Sequence, residues 1–337
     1  MANLNNSAQE QPGKASRGVL FGLSGLACAG AAIAIVILLF WPLMFDNKFY
    51  ITIGTMVVLS AIGATSLNLI IRTGHVSLAH AAFMGVAAYT CVLLQTKLGV
   101  PFGFAMLGGC LASGLLALIL GPIVLRLTGK YFVLVTFLVG EIIRMIFVEW
   151  QSLTGGANGI QNIPPGLEIM KTPTGFYYLA LGASVICVGI VWRILSSEVG
   201  RAMDSVREAE KLAECSGIPV IKLKITIFVI ACTLVGVYGI LQTYLLQFID
   251  PSAFNMEASL NLVVMNVLGG MYYLLGPVLG STFLAALPEL LRGYVDLQRV
   301  IFGIILIIVM AALPGGIIGL MGALRQLIHK LTARKTS

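Results

Sequence analysis

Long apolar runs follow one another along almost the whole 337-residue chain. A helix needs about 20 predominantly apolar residues to cross the hydrocarbon core of a bilayer. Runs of that order, bounded by charged or turn-forming residues, occupy 19–45, 49–71, 76–96, 102–125, 131–150, 176–195, 225–246, 258–275, 276–292 and 300–321. The sequence therefore predicts an all-α, polytopic integral membrane protein with about ten transmembrane helices.

The composition excludes an ordinary soluble domain. Hydrophobic residues make up 58% of the chain and charged residues 10%, against roughly 45–50% and about 25% in soluble domains. No polar tract is long enough for a soluble catalytic domain of roughly 100–150 residues. The predicted organisation is a polar tail (1–18), a transmembrane domain (19–322) and a basic tail (323–337).

The basic residues are unevenly distributed between the two ends of the predicted spans. With the N-terminus inside, fifteen Lys and Arg residues fall on the inner side and five on the outer side, and Arg144 lies within a span. Cytoplasmic loops carry an excess of Lys and Arg. Both tails are therefore predicted to be cytoplasmic, and the net charge of +7 is assigned to membrane orientation instead of nucleic-acid binding.

Two polar connections separate the predicted spans. The external loop, 151–175, is rich in turn-forming residues and is predicted to hold no more than a short helix. In the cytoplasmic loop, 196–224, the spacing of apolar residues predicts one amphipathic helix from Arg201 to Ser216, which Gly217 ends. The charged face of this helix is nearly balanced in sign, unlike that of a lipid-surface helix. Docking to a partner protein is therefore favoured, and a solvated connector is the alternative.

Glu141 and Arg144 stand three residues apart on one face of the predicted span 131–150. An isolated charge at the centre of a bilayer costs about 2.5–3.5 kcal/mol on the insertion scale. A buried ion pair would neutralise both residues. Contact with a polar substrate along a translocation path is the second interpretation, and the sequence leaves both open.

The apolar stretch 258–292 is interrupted by Gly269-Gly270 and by Gly276-Pro277. Broken helices of this kind line cavities in transporters. A tight helical hairpin closed by small residues is the alternative.

The sequence lacks the motifs of common enzymes. It contains no G-x-x-x-x-G-K-[ST] phosphate loop, no H-E-x-x-H pair and no G-x-S-x-G nucleophile turn. Its six cysteines form no C-x-x-C pair. We therefore predict no catalytic, cofactor or metal site and no enzymatic activity of the chain itself.

Four further segments occur in a fixed order. They are Gly74–Gly85, with Gly-His-Val-Ser-Leu-Ala-His; Gly129–Gly159, with Glu141, Arg144 and Thr-Gly-Gly-Ala-Asn-Gly; Gly200–Ile218; and Gly276–Gly280 with Pro314-Gly315-Gly316. Together they resemble the permease subunits of branched-chain amino-acid ATP-binding-cassette (ABC) importers. The chain departs from the family pattern at Ala79 and His75, where glycine and glutamine are usual. The importer signature E-A-A-x-x-x-G is reduced to Lys211-Leu212-Ala213 followed by Gly217.

The resemblance implies a binding-protein-dependent, ATP-driven importer in the bacterial cytoplasmic membrane, working by alternating access. It also implies a second permease chain, identical or sister, two cytoplasmic ATP-binding subunits and an external substrate-binding protein. The loop 196–224 is then the ATPase-coupling loop. Its docking residues would be Arg201, Arg207, Glu208, Ala213 and Gly217.

Two other functions are compatible with the sequence. A secondary transporter for a small polar solute would use Glu141 as a proton or ion carrier. Relatives with a similar pattern carry urea or short amides, so the motifs define the family more closely than the cargo. A membrane enzyme or scaffold has no catalytic constellation in its favour.

Overall fold

The computed structural model describes residues 38–44, 47–273 and 275–290, with isolated residues between 301 and 317. Residues 1–47 and 48–337 form two compact units. In the first unit, residues 38–44 are helical. The two predicted tails, and most of the predicted spans 19–45 and 300–321, lie outside the described residues.

Within the described residues, six helices are long and apolar enough to cross a membrane. They are α1 (Lys48–Ile71), α2 (His80–Leu98), α3 (Phe102–Val124), α4 (Lys130–Glu149), α5 (Pro173–Leu195) and α8 (Val220–Leu246). Each lies where the sequence predicts a span, so the prediction of a helical, polytopic membrane protein is confirmed.

The helix α1 forms the centre of the second unit. It packs against α5, against α8 and against two shorter helices described below, while α2, α3 and α8 pack together beside it. In contrast, α4 and α5 leave broad apolar surfaces uncovered, including Leu138, Ile142 and Ile186. Such surfaces suit contact with lipid or with another membrane chain.

Residues 72–79, between α1 and α2, are not helical although most of them are buried. Buried backbone N–H and C=O groups need hydrogen-bond partners even where the backbone is irregular. In this segment Leu78 N donates to Thr136 Oγ1 of α4 at 3.2 Å. Just beyond it, in the first turn of α2, Ala81 N donates to Ser259 Oγ at 3.0 Å. The helix predicted from residue 76 therefore begins only at His80.

The interrupted stretch forms two short helices, α9 (Met256–Gly269) and α10 (Gly276–Leu290). At 1.5 Å per residue, α9 is about 21 Å long, which is less than the roughly 30 Å hydrocarbon core. They pack on each other and on α1. A Cβ atom at Gly269 would overlap the Gly276 carbonyl group, and one at Gly280 would overlap the Met265 carbonyl oxygen. These close contacts support the tight hairpin, the second of the two interpretations that the sequence leaves open.

Contacts between the connections define two ends of the second unit. At one end, residues 72–79, the loop 196–219 and the hairpin turn 270–275 are joined by side-chain contacts. At the other end, β1 (Ile160–Gln161) pairs antiparallel with β2 (Phe248–Ile249). The other described elements at that end are a one-turn helix, Gln151–Thr154, and 3₁₀ turns at Gly156–Asn158, Glu168–Lys171 and Pro251–Phe254.

The first of these ends is strongly basic. Tracing the helices places nine of the described Lys and Arg residues there and three at the opposite end. The three are Lys48, Lys97 and Lys171. We call the first end the basic end.

Candidate coupling loop and charged cleft

The loop at the basic end contains two helices instead of the single helix predicted from Arg201 to Ser216. They are α6 (Glu198–Glu208) and α7 (Glu210–Cys215). The chain breaks at Ala209, whose φ of −154° and ψ of 86° lie outside the helical region. The apolar spacing continues through this residue and no glycine or proline marks it, so the single-helix prediction is wrong for a reason that local sequence does not encode.

The end of α7 is a Schellman motif. Gly217 has a φ of +85°, which glycine adopts without the steric penalty of a side chain. Gly217 N donates to Glu214 O at 3.0 Å, and Ile218 N donates to Ala213 O at 3.1 Å. These two bonds satisfy carbonyl groups that a helix end otherwise leaves unpaired. The predicted helix stop at Gly217 is therefore confirmed.

Ala213 lies inside the loop and not on its surface. It is 4% exposed and forms a small apolar cluster with Val206 and Val220. Its neighbour Leu212 is 68% exposed. An apolar contact between this loop and a partner protein is therefore available to Leu212, whereas Ala213 holds α6 and α7 against the start of α8.

Asp204 of α6 connects the loop to the membrane-embedded part of the chain. Its carboxylate lies 3.7 Å from Arg72 and 3.6 Å from Arg207. Arg72 directly follows α1, and its side chain also donates to the carbonyl group of Tyr272 in the hairpin turn. The Arg207 guanidinium lies 4.4 Å from the centre of the Tyr272 ring, a cation–π distance. We call these four residues the Asp204 cluster.

Burial shapes the electrostatics of this cluster. It lowers the pKa of Arg72, and the neighbouring Asp204 carboxylate acts in the opposite direction. Burial also lowers the pKa of His75, to which the charge of Lys224 contributes. The His75 Nδ1 lies 3.0 Å from the Thr73 carbonyl oxygen.

A second ion pair ties the loop to α8. Lys224 is only 2% exposed, and its Nζ lies 2.6 Å from Glu210 Oε1. A buried ammonium group is stable only when it is paired and hydrogen-bonded. Glu210, the first residue of α7, therefore fixes that helix to α8.

The predicted docking residues divide into two groups. Arg201, Glu208 and Gly217 are exposed, and Arg201 pairs with Glu198. Arg207 and Ala213 instead face the rest of the chain. The sequence pattern did not single out Arg72, Asp204 or Tyr272 as a group. Arg72 and Tyr272 lie in connections and Asp204 lies within α6, so the contacts that join these three elements are long-range.

Within α4, Glu141 and Arg144 form an ion pair, the first of the two interpretations that the sequence leaves open. Arg144 Nε donates to Glu141 Oε2 at 2.8 Å, and the two side chains are 28% and 26% exposed respectively. The pair is not enclosed. It opens into a cleft of about 450 Å³ between α4 and the beginning of α9. The cleft is also lined by Phe137, Asn255, Met256 and Glu257.

No group of three or more potential metal ligands occurs in the part of the chain that the structure describes. The candidate functional features of the described residues are a loop tied to buried charges at the basic end and an open charged cleft beside α4.

This arrangement is that of a polytopic, helical membrane protein with a folded loop at its basic end. The family model described as "Branched-chain amino acid transport system / permease component" matches residues 49–310, and the chain belongs to this family. The resemblance drawn from the four sequence segments is confirmed.

Two curated relatives carry the same description. The chain is 28% identical over 311 residues to the high-affinity branched-chain amino acid transport system permease protein LivM of Salmonella typhimurium, and 27% identical to LivM of Escherichia coli. Each alignment covers 84% of this chain and 73% of the relative. No solved structure matches the chain significantly.

Proposed function

We propose that the chain is the membrane-spanning permease subunit of an ATP-driven importer of branched-chain amino acids in the bacterial cytoplasmic membrane. Membership of the permease family over residues 49–310 carries this proposal. The names of the two LivM relatives support the substrate class. The chain conducts substrate and is not itself an enzyme.

The proposal includes an orientation. The basic end faces the cytoplasm, because Lys and Arg are enriched in cytoplasmic loops and nine described basic residues lie at this end against three at the other. Both termini are then cytoplasmic, and the chain crosses the membrane about ten times. The loop 151–175 faces outward, toward an external substrate-binding protein.

The coupling loop, residues 196–224, is the proposed docking site for a cytoplasmic ATP-binding subunit. The complex contains two such subunits and a second permease chain, identical or sister. The exposed side chains of Arg201, Glu208 and Leu212 are available for docking, and Gly217 fixes the end of α7.

The contacts of the loop suggest how movement passes into the membrane. A displacement of α6 acts through Asp204 on Arg72 at the end of α1 and on the hairpin turn that holds Tyr272. A displacement of α7 acts through Glu210 on α8. Because packed elements shift as units between discrete arrangements, these links can convert ATP-driven closure into alternating access.

Uptake by the reconstituted complex tests this function. Proteoliposomes holding the permease, its ATPases and its binding protein should accumulate leucine only with ATP and loaded binding protein. A proton ionophore should not abolish that uptake. Uptake that follows the proton gradient without ATP would instead establish the secondary transporter that uses Glu141. Competition by isoleucine and valine, but not by urea or acetamide, would establish the substrate class.

A further inference from the structure

The charged cleft brings together both signs of charge from two separate elements. Glu141 and Arg144 come from the middle of α4, and Glu257 comes from the first turn of α9. The 3₁₀ turn Pro251–Phe254 and the start of α9 both pack on α4. The cleft is therefore formed by the fold and not by one helix alone.

The charged groups retain unused hydrogen-bonding capacity. The Nε of Arg144 binds Glu141, and one Nη lies 4.0 Å from the Met145 sulfur, so most of the guanidinium N–H groups have no partner among the described residues. The Glu257 carboxylate likewise has no ion pair there. Asn255 uses its Oδ1 to cap α9, accepting from Ala258 N at 2.9 Å, which leaves its amide N–H groups available.

The depth of the cleft excludes lipid as its natural occupant. Glu141 lies eleven residues beyond Lys130, which corresponds to about 16 Å along the helix within a core of roughly 30 Å. Charges facing lipid at that depth are costly, and ionisable residues within membranes characteristically face a protein interior or a water-filled cavity. The open side of the cleft is therefore expected to face the substrate path of the assembled complex.

The chemistry of the walls selects the ligand. Phe137 and Met256 supply apolar surface beside the charges, and the volume of about 450 Å³ lies within the usual range for small-molecule sites, about 300–1,000 Å³. We propose that this cleft is a transient binding site for a zwitterionic, aliphatic amino acid inside the permease. Arg144 binds the α-carboxylate, Glu257 binds the α-ammonium group, and Phe137 and Met256 contact the side chain.

This inference rests on the proposed function and assigns a place to its substrate. A simple anion would leave Glu257 unpaired, and a simple cation would leave the guanidinium unused. A zwitterion with an apolar side chain satisfies both groups and the apolar walls together.

Equilibrium binding of radiolabelled leucine tests the site. The purified permease–ATPase complex in lipid nanodiscs, without binding protein, should bind leucine saturably. Leucinamide, which lacks the carboxylate, and 4-methylpentanoate, which lacks the ammonium group, should each compete at least about tenfold more weakly, the factor expected from one lost charge-assisted hydrogen bond.

Two variants separate the roles of the two charges. Glu257→Gln should weaken leucine binding about tenfold and leave 4-methylpentanoate unchanged, since that ligand has no ammonium group. The balanced double change Glu141→Gln with Arg144→Gln, which leaves no unpaired charge, should weaken leucine similarly and leave leucinamide unchanged. The matched control is Glu149→Gln, an exposed position on α4 outside the cleft lining, which should bind all three ligands normally.

The possible failures are distinguishable. No saturable leucine binding by the wild-type complex, or normal binding and analogue selectivity in both variants, would overturn the cleft assignment alone if the wild-type complex still transports leucine with ATP. Absence of ATP-driven leucine uptake by the wild-type complex would overturn the proposed function itself.

Discussion

Single buried charges account for much of how the coupling loop is held. Arg72 and Lys224 are both buried, and each has an acidic partner in the loop, Asp204 or Glu210. Removing one partner from such a pair leaves an uncompensated charge, which is more damaging than removing both. Substitutions of the acidic partners should therefore loosen the loop. Substitutions of exposed charges nearby should leave the stability of the loop unchanged.

The Glu210–Lys224 pair provides the first prediction. Glu210→Gln should destabilise the chain by about 1–3 kcal/mol or more, because it leaves the buried Lys224 ammonium group unpaired. Thermal unfolding of the purified complex would measure the effect. Glu214→Gln, an exposed position on the same helix, should stay within about 0.5 kcal/mol of the wild type. Equal stability of the two variants would show that the ion pair contributes nothing.

The Glu141–Arg144 pair provides the second prediction. Glu141→Gln alone should reduce assembly and transport more than the double change to glutamine at both positions, because the single change strands a cation at membrane depth. Assembled complex and leucine uptake should be measured together. If the double variant is no better than the single one, mutual neutralisation is not the role of the pair.

The helical elements differ in how far the sequence predicts them. Apolar length alone predicts the six long helices, because burial in a bilayer requires that length. Tertiary contacts accompany the break at Ala209 and the irregular segment 72–79: Glu210 pairs with Lys224, and Leu78 N donates to the hydroxyl group of Thr136. These partners are 14 and 58 residues apart in the sequence, so local periodicity cannot reveal them.

The close packing of α9 on α10 provides the third prediction. Gly280→Ala should cost about 1–3 kcal/mol or more, because its new methyl group would meet backbone atoms of α9 that cannot move aside easily. Gly182→Ala on α5, where no atom lies within 4 Å of the added Cβ, is the control and should be neutral or mildly stabilising. Thermal stability of both variants decides whether close backbone contact holds the hairpin.

Because Ala213 is buried in the loop, a substitution there affects the stability of the loop as well as any docking contact. Ala213→Leu should destabilise the loop by about 1–3 kcal/mol through overpacking against Val206 and Val220. A loss of transport in that variant would not isolate docking. Leu212, whose side chain is exposed, is the position at which docking can be changed while the packing of the loop is kept.

The whole molecule combines features that the sequence predicts well with others that it leaves open. The distribution of basic residues and the ordered motifs predict the architecture and the family. The cleft required the structure, because Glu257 lies more than a hundred residues from Arg144 and no sequence pattern links them. The sequence therefore predicts the topology, whereas the cleft is found only from contacts between residues that are distant in the sequence.

The predicted orientation is tested by impermeant thiol labelling of intact cells. A chain whose single cysteine comes from Asn158→Cys should be labelled from outside, because residue 158 is exposed at the end opposite the basic end. A chain that retains only Cys215, which is exposed, should be labelled only after the membrane is permeabilised. The reverse pattern would place the basic end outside.

The central claim is that this chain moves substrate because ATPases act on its coupling loop. Uptake of leucine and ATP hydrolysis, measured in the same proteoliposomes for Leu212→Ser, test it most directly. Leu98→Ser is the control, since Leu98 is similarly exposed, at 71% against 68%, but lies at the opposite end of the chain. The account predicts that Leu212→Ser inserts and assembles with its permease partner but loses both leucine uptake and the stimulation of ATP hydrolysis by loaded binding protein, while Leu98→Ser keeps both. Normal uptake and normal stimulation in Leu212→Ser would contradict it.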